Sequence, residues 1–184
     1  MSRTYKMPAG LERQPSSVNT NTDTAISTGL GTDPAISGGY EPGVDHGPVR
    51  FDTKISILLR DDLESWQQLN VCAFLASGVA GANPELIGEP YADADDVAYL
   101  AMFRQPVLVL TGSKEMLDLA HRRALTRGLA MSLFTSDLFT TGCDRDNRAA
   151  VRAVPTEQLD LVGMAVHGPR NAVDKIFKGA RMHL

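Results

Sequence analysis

Two short runs, Lys54-Ile-Ser-Ile-Leu-Leu-Arg60 and Pro106-Val-Leu-Val-Leu-Thr111, constrain this chain more than any other feature. Each is too short for an ordinary helix, is dominated by aliphatic side chains, and is bounded by polar residues or proline. Runs of this kind read as strands buried on both faces. Each is followed by a helical signal. Ser65 is placed to cap a helix over roughly Trp66–Val79 that the glycines at 78 and 81 end. Ser113 caps a second helix reaching Arg127, with Glu115 in its first turn, a stripe of Leu117, Ala120, His121, Ala124 and Leu125, and Gly128 as the stop.

The rest of the chain continues the alternation. A strand is expected over Ala130–Phe134, and a short helix from Asn147 to Val154 that starts at Asp144 or Asp146. A last strand then spans Leu159–Val166 and a last helix Asn171–Lys178. Between the first two units, Leu86–Phe103 carries Gly88, Pro90 and the acidic run Asp93-Ala-Asp-Asp96, and reads as a long excursion with at most a short strand near Tyr99–Phe103. Strands alternating with helices of this size predict an α/β domain with a mostly parallel sheet covered on both faces.

The first 50 residues have a different character: seven Gly, five Pro and eleven Ser or Thr leave little apolar surface to offset the entropy of ordering. A weak repeat with a period of ten links Asp23-Thr-Ala-Ile-Ser-Thr-Gly29 to Asp33-Pro-Ala-Ile-Ser-Gly-Gly39. The segment reads as a low-complexity arm, either a tolerated tail or a clasp that inserts Ile26, Ile36 and Tyr40 into a partner subunit of a homodimer or larger homo-oligomer. The globular domain is therefore expected over residues 51–184.

A net charge of −4 argues against a broad nucleic-acid surface. Residues 51–120 hold four basic against eleven acidic side chains, whereas residues 121–184 hold ten against six. That asymmetry suits either a small anionic ligand or apposed surfaces of two copies. Met1–Gly10 lack the apolar centre of a secretory signal, and no run of about 18 apolar residues spans a bilayer. Cys72 and Cys143 are the only cysteines. A soluble, cytoplasmic protein without a disulfide framework is the expectation. The four His are scattered, and no glycine-rich phosphate loop, metal-ligand pair or dinucleotide fingerprint occurs, so neither metal nor cofactor is called.

The stretch Lys54-Ile-Ser-Ile-Leu-Leu-Arg-Asp-Asp-Leu63 resembles the opening strand and turn of class II peptidyl-tRNA hydrolases. The segments Val162-Gly-Met-Ala-Val-His-Gly-Pro169 and Val173-Asp-Lys-Ile-Phe-Lys-Gly-Ala-Arg-Met182 resemble their closing strand and helix. Residues 51–184 are more closely similar to an uncharacterised bacterial branch of that fold, a domain of unknown function. Its signatures match Leu59-Arg-Asp-Asp-Leu63, Trp66-Gln-Gln-Leu-Asn70, Gly88-Glu-Pro-Tyr91, Asn147-Arg148 and Asp174-Lys-Ile-Phe-Lys-Gly179. The resemblance implies three layers around a four-stranded mixed sheet. It also implies hydrolysis of the ester between a peptide and its tRNA, helped by a basic first helix. Here the sequence departs from the pattern: no Lys or His occurs from Ile55 to Ser113, and Gln67 and Leu69 stand where the lysines of that helix would fall. Without those cations the phosphate contacts that carry most RNA affinity are missing on that side.

Ligands of open α/β sheets bind beyond the carboxyl ends of the strands, which singles out three loops. After the first strand, Arg60 suits an anion, Asp62 a general base and Asn70 an amide donor, although Asp62 as a cap and Arg60 as half of an ion pair explain both without a ligand. After the third strand, Thr141, Asp144, Asn147 and Arg148 suit hydrogen bonding and anion binding at a helix start, against plain capping by Asp144. After the last strand, His167 suits acid–base work while Gly168 and Arg170 suit an anion, against a tight strand-to-helix turn. Cys143 reads as a bystander thiol and Trp66 as a residue closing the core edge. Arg104 and Gln105 lie at the other end of their strand. The readings left open are a hydrolase or transferase acting on a small acyl, ester or amide through Asp62, Asn70, Thr141, Asn147 and His167; a noncatalytic module for a small anion or nucleotide-like ligand held by Arg60, Asp144, Arg148, Gly168 and Arg170; and a structural homo-oligomer clasped by the arm.

Overall fold

A computed structural model describes residues 49–183. The arm and its repeat lie outside the described residues. The order of elements is β1 (Thr53–Arg60), α1 (Ser65–Ala82), β2 (Tyr91–Ala92), β3 (Ala98–Tyr99), β4 (Val107–Gly112), α2 (Lys114–Thr126), β5 (Met131–Thr135), α3 (Asp144–Arg152), β6 (Leu161–Pro169), α4 (Arg170–Ile176) and β7 (Arg181–Met182). Short 3-10 turns cover Pro84–Leu86, Ser136–Phe139 and Thr156–Gln158.

The central strand explains the layering. Ile55 to Leu59 are all buried, and strand periodicity sends alternate side chains to opposite faces. Ile55, Ile57 and Leu59 meet Val71, Leu75 and Val79 of α1. Leu58 meets Leu117, Ala120 and Ala124 of α2 together with Val173 and Ile176 of α4. The result is three layers, with α1 on one face of the sheet and α2 and α4 on the other. The helix boundaries fall near those expected. The first is capped by a Glu64–Gln67 capping box rather than by Ser65, and Ser113 caps the second by accepting the Met116 amide. Among the described residues no helix is long and apolar enough to cross a membrane.

The sheet differs from expectation in two respects. It has five strands, in the order β5-β6-β1-β4-β7, rather than four. It is also mixed without being mostly parallel: β1 and β4 pair in parallel, whereas β1–β6, β5–β6 and β4–β7 pair antiparallel. The fifth strand pairs only Leu110 with Met182 and Thr111 with Arg181, too short a segment to show a pattern in sequence. The antiparallel β6 arises because it is a long strand entered from α3 at the carboxyl rim, so it runs back down the sheet. It continues through His167, Gly168 and Pro169, which pair with Ile55, Lys54 and Thr53 at the start of β1. These residues therefore form strand, not the turn expected after it.

Candidate functional site

The direction of β6 decides which candidate residues can meet. The carboxyl ends of β1, β4 and β5 lie on one rim, together with the first residue of β6. His167, Gly168 and Arg170 lie on the opposite rim. The three loops do not converge on one cavity.

At the carboxyl rim, Arg60 is mostly buried and two of its three nitrogens are engaged. Its Nε donates to Asp62 Oδ1 at 2.6 Å, and its Nη1 to Asp160 Oδ1 at 3.0 Å and, more weakly, to the Leu161 carbonyl at 3.4 Å. Burial opposes the charge on Arg60, yet the hydrogen bonds and charges of Asp62 and Asp160 outweigh it and raise its pKa. Asp160 also accepts from Lys114 at the start of α2. That hydrogen bond is the largest of the effects holding Asp160 below the ordinary carboxylate range; burial works against it, and Ser136 and Arg60 add to it. Together these groups tie the end of β1, the start of α2 and the start of β6. Asp62 spends its charge on the guanidinium rather than capping α1, an arrangement that serves structure better than proton abstraction.

The second loop does build a concave site. A groove of about 390 Å³ runs between α1 and the segment joining β5 to α3. Trp66, Asn70 and Phe74 form one wall because residues four apart on a helix share a face. Phe134, Leu138 and Phe139 form the floor, and Thr141, Cys143, Asp144 and Asn147 the other wall. Four of the expected residues, Asn70, Thr141, Asp144 and Asn147, are thus gathered. The aromatic rings touch in series: Trp66 meets Phe139 edge-on at 5.7 Å, Phe139 lies 5.1 Å from Phe134, and Phe134 meets Phe74 at 5.5 Å. Edge-to-face pairs of this spacing fix ring positions.

The polar side of the groove is organised too. The Thr141 hydroxyl bonds the Leu138 carbonyl at 3.0 Å and reaches Asn147 Oδ1, which turns the Asn147 amide toward a set orientation. The residue capping α3 is Cys143, without a side-chain cap. Asp144 is instead the first helical residue, paired with Arg148 at 3.0 Å on an exposed surface. Arg148 opens away from this groove onto the outer face of α3. Trp66 is 57% exposed. It lines the groove rather than closing the core edge, and its indole N–H donates to Glu64 at 2.7 Å. Sequence reasoning passed over Phe74 and Phe139. The signal available was the row Trp66, Asn70, Phe74 at four-residue spacing.

No imidazole lines the groove among the described residues. His167 Nδ1 is 3.2 Å from Asn83 Oδ1 at the far rim, His183 Nε2 is 2.8 Å from Gln68 Oε1, and His121 is a buried residue of α2. Gly168 packs closely on Leu129: a Cβ there would sit 3.0 Å from Leu129 Cδ2. Arg170 donates to the Phe51 carbonyl at 3.3 Å.

Fold and groove together define a three-layer α/β protein with a mixed five-stranded sheet and an aromatic-walled surface cleft at its carboxyl rim. The chain belongs to the family described as Protein of unknown function (DUF2000), whose profile matches residues 53–184. It is similar to a solved structure of a protein of unknown function from Agrobacterium tumefaciens strain C58, with 43% identity and a TM-score of 0.72 over 73% of this chain and 100% of that one. No curated protein matches.

Proposed function

We propose that this protein binds a small organic molecule in the groove between α1 and α3. The flat or apolar part of the ligand lies along Trp66, Phe74 and Phe139, and its hydrogen-bonding head meets Asn70, Thr141 and Asn147. The observation that carries this reading is the meeting of Asn70 and the bonded pair Thr141–Asn147 with a connected row of rings around one cleft. Ligand sites combine those elements: apolar walls supply affinity and a few fixed polar groups supply orientation. A nucleotide-like ring system or an N-acyl compound fits the pattern. The absence of lysine and histidine along the α1 wall favours a small molecule over RNA. The parallel β1–β4 pair and the closing β6–α4 unit support the likeness to class II peptidyl-tRNA hydrolases at the level of fold. Function is argued from the groove.

One observation favours a second reading, a hydrolase or transferase on a small acyl, ester or amide. Cys143 is exposed at the lip of the groove, at the amino end of α3, where helix amides favour an oxyanion. Both readings meet the same experiment. Trp66 is the only tryptophan, so its fluorescence reports the groove directly. Titration with nucleosides, nucleotides and N-acyl amino acids is expected to give a saturable Trp66 signal that Asn147→Ala weakens at least tenfold. No saturable change in Trp66 emission with any of these compounds, or full affinity of the Trp66-reported ligand for the Asn147→Ala and Phe139→Ala variants, refutes the groove. Turnover lost in Cys143→Ser while binding persists distinguishes an enzyme from a binder.

A further inference from the structure

We propose a second, independent site at the opposite rim, where the protein binds a small organic anion: a carboxylate or phosphate monoester carrying an apolar body. The pocket measures about 350 Å³ and opens between the start of β1, the start of β4 and the start of α4. At roughly 30 Å³ per non-hydrogen atom, the share a water takes in the liquid, this admits about a dozen atoms. It is lined by three cations, Arg50, Lys54 and Arg170, and by an apolar set, Val49, Phe51, Pro106 and Leu108.

The second observation is a buried amide with unmet demand. Gln105 lines this pocket and is only 7% exposed. The Thr53 hydroxyl bonds its Oε1 at 3.1 Å, while Nε2 is buried with no partner among the described residues. With the Thr53 hydroxyl donating to Oε1, the amide end left without a partner among the described residues is the donor, the end an oxyanion requires. An unmet buried donor of this kind costs about as much as a lost hydrogen bond, and a ligand oxygen in the pocket removes that cost.

The charges around the pocket are only partly neutralised. Lys54 pairs with Asp174, and the exposed Asp52 lies nearby, its carbonyl accepting the Arg170 amide. Arg50 makes no ion pair among the described residues, and the one hydrogen bond of the Arg170 side chain, to the Phe51 carbonyl, leaves most of its five donors for a ligand. Two guanidinium groups above an amide donor suit an oxyanion, since guanidinium binds carboxylate and phosphate in two-point geometry. The apolar set requires more than a bare ion. Gln105 follows Arg104 at the amino end of β4, the end the carboxyl-rim rule discounts.

The test uses the full-length chain and two series of probes. Inorganic phosphate and phenyl phosphate report the phosphate arm; acetate and benzoate report the carboxylate arm. Binding is read from the side-chain amide resonances of Gln105, assigned by their loss in Gln105→Glu, and from calorimetry. Expected are a saturable shift of the Gln105 pair, at least tenfold tighter binding of the aryl probe than of its bare ion in one arm, and a further tenfold loss in Arg170→Gln. The stronger arm identifies the head group. Trp66 emission stays constant, which separates this site from the groove. No shift of the Gln105 resonances in the wild-type protein at 10 mM of every probe overturns the proposal, and so does an Arg170→Gln variant with unchanged affinity. Equal affinity for bare ions and aryl probes removes the apolar wall and, with it, the site as stated.

Discussion

Gly163 is where β6 lets α1 rest directly on the sheet, and adding one methyl group there tests how the groove is held. A Cβ at this position would lie 2.5 Å from Val71 Cγ1 and 3.0 Å from Leu75 Cδ1. Carbon atoms settle at about 3.5–4.0 Å, so α1 must withdraw by about 1 Å or Val71 must leave its rotamer. Val71 and Leu75 are buried among Ile55, Ile57 and Phe134, which leaves them little room to move. Overpacking costs typically 1–3 kcal/mol, and a site this enclosed belongs at about 2–3. For a domain of this size 1 kcal/mol is worth about 4 °C in Tm, so Gly163→Ala should melt roughly 8–12 °C lower. Because Asn70 precedes Val71 and the wall of rings stands on the same helix, the ligand signal from Trp66 should weaken as well. Gly81 on that helix is the control: nothing lies within 4 Å of its would-be Cβ, so Gly81→Ala should stabilise by about 0.5–1 kcal/mol through helix propensity. Calorimetry and urea unfolding read both. Should Gly163→Ala fall within 0.5 kcal/mol of the wild type, α1 is not held by contact with β6, and the account of a rigid groove wall is wrong.

Three further outcomes are expected. His121 is buried against Leu159 and faces Asp118 and Arg122 on its own helix and Thr156 and Glu157 across from it. Burial, the largest effect, pulls its pKa below 6.5; Asp118 opposes this and Arg122 adds to it. The unfolded chain then takes up a proton that the folded one refuses, so stability is present above pH 6.5 and falls as the solution is acidified. The drop in Tm from pH 7.5 to 5.5 should be smaller in His121→Leu, and an unchanged drop would contradict the assignment. Asp160→Asn should cost about 0.2–1 kcal/mol at pH 7. Because the folded-state pKa of Asp160 lies below 3.8, that difference should fade as pH falls through it, which urea unfolding at pH 7 and pH 3 measures. Of the two thiols, exposed Cys143 should react with a disulfide reagent in the folded state. Burial raises the pKa of Cys72, which should react only on unfolding; mass spectrometry of the singly labelled protein locates the site.

Local physics made much of the fold legible. The two aliphatic runs became β1 and β4, and Ser113 and Gly128 bound the second helix as capping and stop signals should. The same reasoning brought four of the ten candidate residues, Asn70, Thr141, Asp144 and Asn147, to one groove through elements that were correctly ordered. It failed on strand direction. Apolar content shows that Leu161–Val166 is buried on both sides; it carries no sign of whether the strand runs up or down the sheet. That depends on where α3 delivers the chain, a long-range fact. It also passed over β7, whose two paired residues have no periodicity to detect, and it placed Trp66 in the core edge when its neighbours at i+4 and i+8 lead to an open cleft.

The antiparallel course of β6 has a consequence for how the protein works. In a wholly parallel sheet every strand delivers its loop to one rim, and polar residues after successive strands are pooled in a single site. Here β6 carries His167 and Arg170 to the rim where β1 and β4 begin, and leaves Asp160 at the rim where they end. The central strand β1 is buried on both faces along Ile55–Leu59, where Ser56 is its one polar side chain. A groove with rings and amides but no imidazole, and a basic pocket with a waiting amide but no aromatic row, are what that division produces. The two proposals therefore place their ligands at separate rims, the flat one in the groove and the anion in the basic pocket.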